Sequence, residues 1–152
     1  MKILDALDRE AIISDLAAIK KSDALKELAL PLAKATDLDP VALVDVLTER
    51  EKLGSTGIGG GVAIPHGKVK DLTAITLGFG RSRQGVAFDS MDGKPTHIFF
   101  LLLTPENSTG LHLKMLARIS RLLKQEPFRE KLLQAETGDE LYQVIAAEDD
   151  EF

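Results

Sequence analysis

Three histidines, at positions 66, 97 and 112, and an arginine at position 50 are the residues of this sequence best placed to do chemistry. His66 stands between Pro65 and Gly67, directly after the short apolar run Val62-Ala63-Ile64. Proline fixes one backbone dihedral, and glycine lets another chain or a ligand come close, so this imidazole is rigid on one side and open on the other. A neutral imidazole offers one ring nitrogen as nucleophile while the other donates a hydrogen bond that sets the tautomer. A fixed histidine, an inward-pointing arginine and a second histidine suit acceptance of a phosphoryl group, which depends on alignment and charge stabilisation and needs no metal when the group passes between two side chains.

Arg50 and His112 stand out when helical residues are set at about 100° per residue. In the helix that begins at Pro40, Ala42, Leu43, Val46, Leu47 and Leu53 define an apolar arc with Arg50 in its middle, while Asp45, Thr48, Glu49 and Lys52 lie opposite. A guanidinium cannot shed its proton, so burial there without an anionic partner would cost several kcal/mol. In the helix after Thr109, Leu111, Met115, Leu116, Ile119, Leu122 and Leu123 form the apolar face, and His112 projects between Ile119 and Leu123. It lies in the first turn, where free backbone N–H groups attract anions. Taken singly, Arg50 also fits a snorkelling or internally paired cation, and His112 a satisfied core histidine. Their coincidence with His66 and a glycine-rich loop favours a shared site, in which Arg50 supplies a planar fork to phosphate oxygens and His112 a further donor. The hydroxyls of Ser55 and Thr56, with neighbouring backbone N–H groups, are candidates for additional phosphate contacts. His97, at a strand start, is assigned to structure.

Other chemistries fit poorly. A phosphate-binding loop of the G-x-x-x-x-G-K-[ST] kind, read back from Gly67-Lys68, meets Val62 where glycine is needed and Val69 where a hydroxyl is needed. A dinucleotide fingerprint from Gly57 finds Val62 at the third glycine position, and Pro65 blocks the helix that should follow. No pair of histidines has helical i, i+4 spacing and no acidic residue completes a zinc set, so no metal and no cofactor is expected. Cysteine is absent, which removes thiolate sites, cysteine nucleophiles and disulfides.

The elements that must position these residues alternate between helical and strand-like patterns, which indicates an α/β domain with a largely covered sheet. The spacing of Leu25, Leu28, Ala29 and Leu32 predicts a helix over 22–34, with Pro31 as a possible kink. A second helix opens with Asp39 as N-cap and Pro40 at its first position, and Gly54 is placed to end it. The run from Gly54 to Gly61 reads as a loop without regular structure. Val62-Ala63-Ile64 is a short strand ending at Pro65, and 73–79 and 96–103 are the two strongest strands, the second apolar on both faces as a central strand is. Helices are expected over 109–123, 128–135 and 139–146. Ala11-Ile12-Ile13 is ambiguous and leans toward strand.

At 152 residues the chain reads as one domain, 1–152, with an acidic tail over 148–152 expected to be solvated and frayed. Hydrophobic and charged fractions of 44% and 28% are those of a globular protein. The net charge of -5 argues against a general nucleic-acid binder. Charges interrupt the N-terminal MKILDALDRE, which excludes a signal-peptide reading, and the longest apolar run, Ile98 to Leu103, is far short of the ~20 residues a membrane span needs. A cytoplasmic location is expected.

The run Glu51 to Gly67, EKLGSTGIGGGVAIPHG, closely resembles the phosphorylation-site signature of the fructose–mannitol class of enzyme IIA in the bacterial phosphoenolpyruvate-dependent phosphotransferase system. The signature is an acidic residue, six positions, then Ile-Gly-x-x-Val-Ala-Ile-Pro-His-Gly. The likeness extends to the FFLLLTP strand end at Phe99 to Pro105 and to a histidine early in the next helix. The wording REKLGSTGIGGGVAIPHGK is most similar to the nitrogen-regulatory branch. The resemblance implies that His66 is phosphorylated on the ring nitrogen remote from the backbone, that His112 is the second active-site histidine, and that Arg50 supports the phosphoryl group. It also implies a single-domain mixed sheet of about five strands flanked by helices on both faces, and a histidine-containing phosphocarrier protein as donor. Two outputs remain open: a phospho-switch acting on regulated target proteins, and a sugar-transport relay to a separate IIB component. An unrelated alternative is a ligand- or metal-binding α/β module whose histidines never carry phosphate.

Overall fold

The strand over Thr96–Pro105 explains the whole architecture, because its side chains alternate between two apolar layers. Ile98, Phe100 and Leu102 pack into one core with Met115, Ile119, Leu122, Phe128, Leu132, Leu141 and Ile145. Phe99, Leu101 and Leu103 pack into the other with Leu28, Leu32, Leu43 and Leu47. A sheet apolar on both faces must be covered on both, and helices cover it. The computed structural model of the chain describes residues 1–151, with side chains through 150.

In chain order the elements are β1 (Leu7–Ile13), α1 (Lys21–Thr36), α2 (Pro40–Lys52), β2 (Gly57–Gly59), β3 (Val62–Ala63), β4 (His66–Val69), β5 (Thr76–Val86), β6 (Thr96–Pro105), α3 (Thr109–Leu123), α4 (Glu126–Gln134) and α5 (Gly138–Glu151). The six-stranded mixed sheet has the order β1-β5-β6-β3-β2, and β4 also pairs with β6. Helices α1 and α2 cover one face and α3, α4 and α5 the other. Among the described residues no helix is long and apolar enough to cross a membrane.

The edge beside β6 carries the residues of interest. Val62 and Ala63 pair with Ile98 and Phe99, and His66 to Val69 resume parallel pairing at Leu102 to Pro105. Ile64 and Pro65 interrupt the strand, since proline has no N–H for the ladder, yet the Pro65 carbonyl accepts from Leu102 N at 2.9 Å. The interrupted strand turns His66 out at the break while its backbone stays anchored. Asp39 caps α2 as expected, accepting from Val41 N at 3.0 Å.

Three expectations need correction. The run from 54 to 61 is not wholly irregular: Gly57–Gly59 pairs antiparallel with Val62–Ala63, and Gly60 and Gly61, with φ of 67° and 79°, form the two-residue turn of a hairpin. The strand does not end at Pro65: it resumes beyond the break as β4, which His66 opens. The acidic tail is not a frayed end over its described residues. Helix α5 runs to Glu151, and the fully buried Asp149 carboxylate accepts from the backbone N–H groups of Ile3 and Leu4 and from Arg118. Asp149 thereby ties the chain start to α3. Phe152 lies outside the described residues.

Candidate functional site

His66 sits half-buried where β4 begins, with its Nδ1 2.7 Å from the Ile64 carbonyl oxygen. A carbonyl can only accept, so Nδ1 carries the proton and Nε2 keeps its lone pair. The Arg50 Nε–H donates to that Nε2 at 3.2 Å, and the same guanidinium donates from Nη1 to the Gly54 carbonyl at 2.8 Å. Burial lowers the His66 pKa first of all; the Ile64 bond opposes this, the Arg50 charge adds to it, and Glu51 opposes it again. The ring is therefore neutral at neutral pH, in the tautomer whose free lone pair lies on Nε2 beside Arg50.

His112 enters from the first turn of α3 and is buried. Its ring centroid is 5.3 Å from that of His66, tilted by 59°, and its Nδ1 is 2.7 Å from the Thr104 hydroxyl at the end of β6. Burial, followed by the nearby His66 and Lys68, pushes its pKa down to about 4. Lys68 lies two residues beyond His66 on the same face of β4, and its Nζ donates to the Thr109 hydroxyl at 2.8 Å. Arg50, His66, Lys68 and His112 line one open pocket together with Val46, Glu49, Leu53, Gly67, Leu113 and Leu116.

The structure thus brings Arg50, His66 and His112 together. Arg50 is half-buried at the α2 rim, along the core side of the helix; Ala42 and Leu53, assigned to the apolar arc, are exposed. Ser55 and Thr56 are not brought to the pocket. The Ser55 hydroxyl donates to the Phe88 carbonyl at 2.8 Å and accepts from Gly57 N, while the buried Thr56 hydroxyl donates to Glu51 at 2.5 Å. Both are occupied in bracing the glycine hairpin. His97 lies near the opposite end of β6, with Nδ1 2.7 Å from the Ser82 carbonyl.

Glu51, the acidic residue that opens the signature, has a part that its spacing alone does not reveal. Its buried carboxylate accepts from Thr56 N at 3.0 Å and pairs with Lys21 Nζ at 2.8 Å. It joins the C-terminal turn of α2, the start of α1 and the glycine hairpin at the residue next to Arg50. A carboxylate with these partners is a brace whose charge is neutralised locally. Lys68 could have been found from period-two alternation beyond His66, and Thr104 from its place at the inward end of an apolar strand.

Comparison with known proteins gives the family. A sequence model of the family described as phosphoenolpyruvate-dependent sugar phosphotransferase system, EIIA 2, matches residues 5–148. A nitrogen regulatory protein of Bradyrhizobium diazoefficiens is 44% identical over 146 residues, covering 96% of this chain and 95% of that protein. The fructose-specific EIIABC component of Bacillus subtilis is 37% identical over 98% of this chain, which spans 24% of that longer protein. The crystal structure of nitrogen regulatory protein IIA-Ntr from Neisseria meningitidis superposes with a TM-score of 0.87 at 37% identity, over 93% of this chain and 97% of that one. With sequence and fold in agreement along nearly its full length, the chain belongs to the enzyme IIA family of the phosphotransferase system, fructose/mannitol class, with nitrogen regulatory proteins among its relatives.

Proposed function

We propose that His66 accepts a phosphoryl group on Nε2 from the phosphohistidine of a carrier protein, and that the phosphorylated state is a cytoplasmic signal read by regulated partner proteins. The observation that carries this reading is the pair of bonds on His66: Nδ1–H held by the Ile64 carbonyl, and an Nε2 lone pair beside the Arg50 guanidinium. The lone pair on Nε2 forms the new P–N bond as the bond to the donor imidazole breaks, its electron pair returning to the donor nitrogen. No proton has to leave the attacking nitrogen, because the ring proton is already on Nδ1. Arg50 is positioned to turn from Nε2 to the incoming phosphoryl oxygens, stabilising negative charge in a site that needs little other help. His112, neutral in its buried position, is a further donor to the same oxygens.

The likeness to a protein named a nitrogen regulatory protein, 44% identical over 96% of this chain, supports the regulatory output. A second reading, relay to a separate IIB component, is favoured by the likeness to the fructose-specific EIIABC component of Bacillus subtilis. Incubation with phosphoenolpyruvate and the general carrier proteins, followed by intact-mass measurement, tests the common core. Addition of one phosphoryl group, lost in His66→Ala, supports transfer; no addition rejects it and leaves a binding module. Subsequent transfer from the labelled chain to an added IIB protein would favour the relay.

A further inference from the structure

We propose that Thr104 is a positioning residue whose hydroxyl donates to His112 Nδ1 and so fixes the tautomer that turns an Nε2–H, not a lone pair, toward the phosphoryl group. The inference rests on the phosphoryl-accepting reading of His66 and assigns a part to a residue outside the pocket lining.

Thr104 lies near the end of β6, fully buried, and its Oγ1 is 2.7 Å from His112 Nδ1. Among the described residues this imidazole nitrogen is the hydroxyl's hydrogen-bond partner. Two proton arrangements satisfy that distance. If Nδ1 carried the proton, the hydroxyl would accept and its own hydrogen would point into the core without an acceptor. An unmet buried donor costs about 1–3 kcal/mol. If the hydroxyl donates, its hydrogen is used, Nδ1 accepts, and only oxygen lone pairs are left over, which is the lesser deficit. The second arrangement places the imidazole proton on Nε2.

That nitrogen is the one left for the site. His112 lines the same pocket as His66, with ring centroids 5.3 Å apart. A lone pair there would repel an arriving dianion, whereas an N–H donates to its oxygens in the direction in which charge develops. His112 gives up no proton during transfer; it is neutral before and after, and only the hydrogen bond is new. The logic repeats that of His66 with the proton reversed. On His66 a carbonyl, which can only accept, frees Nε2 as nucleophile; on His112 a hydroxyl, acting as donor, makes Nε2 a hydrogen-bond donor. Lys68, anchored on Thr109 at the start of α3, sets a positive charge near His112 and opposes its protonation. Two histidines with opposite tautomers and one shared opening give a nucleophile and an electrophilic partner without any change of protonation.

The test has one arm that needs no phosphate. In uniformly 15N-labelled protein, long-range proton–nitrogen correlation spectra report which ring nitrogen of His112 is protonated. The expected result is a single Nε2–H tautomer in the unmodified chain; a His112 protonated on Nδ1 overturns the proposal whatever the transfer kinetics show. In Thr104→Val, which keeps the shape and removes the hydroxyl, His112 is expected to sample both tautomers, and single-turnover phosphorylation of His66 to slow about tenfold, the worth of one hydrogen bond. Thr104→Ser restores the donor and is expected to recover the rate to within about threefold. Thr104→Val that folds, keeps the Nε2–H tautomer and transfers at the wild-type rate overturns the role. A wild-type chain that takes no phosphoryl group at all overturns the reading of His66, and with it the part given to Thr104, while the tautomer spectrum reports separately on the hydrogen bond.

Discussion

Gly67→Ala perturbs the site without touching a reacting group. Gly67 lies one residue beyond His66 and faces α2, and an added Cβ would overlap Val46 Cγ1, with Val46 Cβ at 3.8 Å and its carbonyl carbon at 3.9 Å. The overlap is more than ~1 Å inside the distance at which carbons attract. Valine in a helix strongly prefers one rotamer, so the overlap is relieved chiefly by pushing the α2 backbone away from β4. Val46 is one helical turn before Arg50, so the guanidinium moves with it, away from His66 Nε2. Overpacking of this kind costs about 1–3 kcal/mol of stability, and a misplacement near 1 Å at a reacting centre costs up to about 100-fold in rate. Thermal unfolding and single-turnover phosphorylation, measured on Gly67→Ala, Val46→Ala and the double variant, separate the two effects. The expected pattern is a transfer rate reduced about 10- to 100-fold in Gly67→Ala and largely regained when Val46→Ala makes room. Normal transfer in Gly67→Ala, or a double variant as slow as the single one, would show that the α2–β4 contact does not position Arg50.

Replacing Arg50 by lysine keeps the charge but loses the Nε donor and the fork, and should slow transfer about tenfold or more and shorten the lifetime of the phosphorylated state; unchanged kinetics would make Arg50 structural. Because burial lowers the His112 pKa from 6.5 to about 4, the unfolded chain binds more protons than the folded one between those values. Stability should therefore be complete above about pH 6.5 and fall as pH drops toward 4, by at most about 3.5 kcal/mol for this residue. Chemical denaturation across that window, with His112→Asn giving a flatter profile, checks the sign. Asp149→Ala should cost about 1–3 kcal/mol, since the Ile3 and Leu4 N–H groups lose the carboxylate that accepts from them; an unshifted melting temperature would return the C-terminal turn to the status of a solvated end.

Helix boundaries and the site differed in how legible they were from residues alone. The helix over 109–123 matches α3 in full because its apolar stripe is continuous and a loop precedes it. Helical placement also points Arg50 and His112 inward, since each interrupts an apolar arc. Periodicity cannot weigh depth, however: Arg50 lies at the rim because α2 ends beside the open edge of the sheet, not under it. The glycine run concealed β2, as glycine reads as a breaker although Gly60-Gly61 is itself a hairpin turn. Residue type alone suggests phosphate contacts for Ser55 and Thr56, but hydroxyls in a glycine-rich hairpin are needed to brace it, and Phe88 and Glu51 claim them. Asp149 reads as tail in the sequence because its partners are remote, Ile3 and Leu4 at the far end of the chain and Arg118 on another helix, separations that no local pattern reveals.

The most direct test of the account is to establish which atom carries the phosphoryl group. With 15N-labelled histidine and phosphoenolpyruvate-driven modification, phosphorus–nitrogen coupling should appear at Nε2 of His66, while its Nδ1–H stays bonded to the Ile64 carbonyl. Coupling at Nδ1, or at a histidine other than 66, would contradict it.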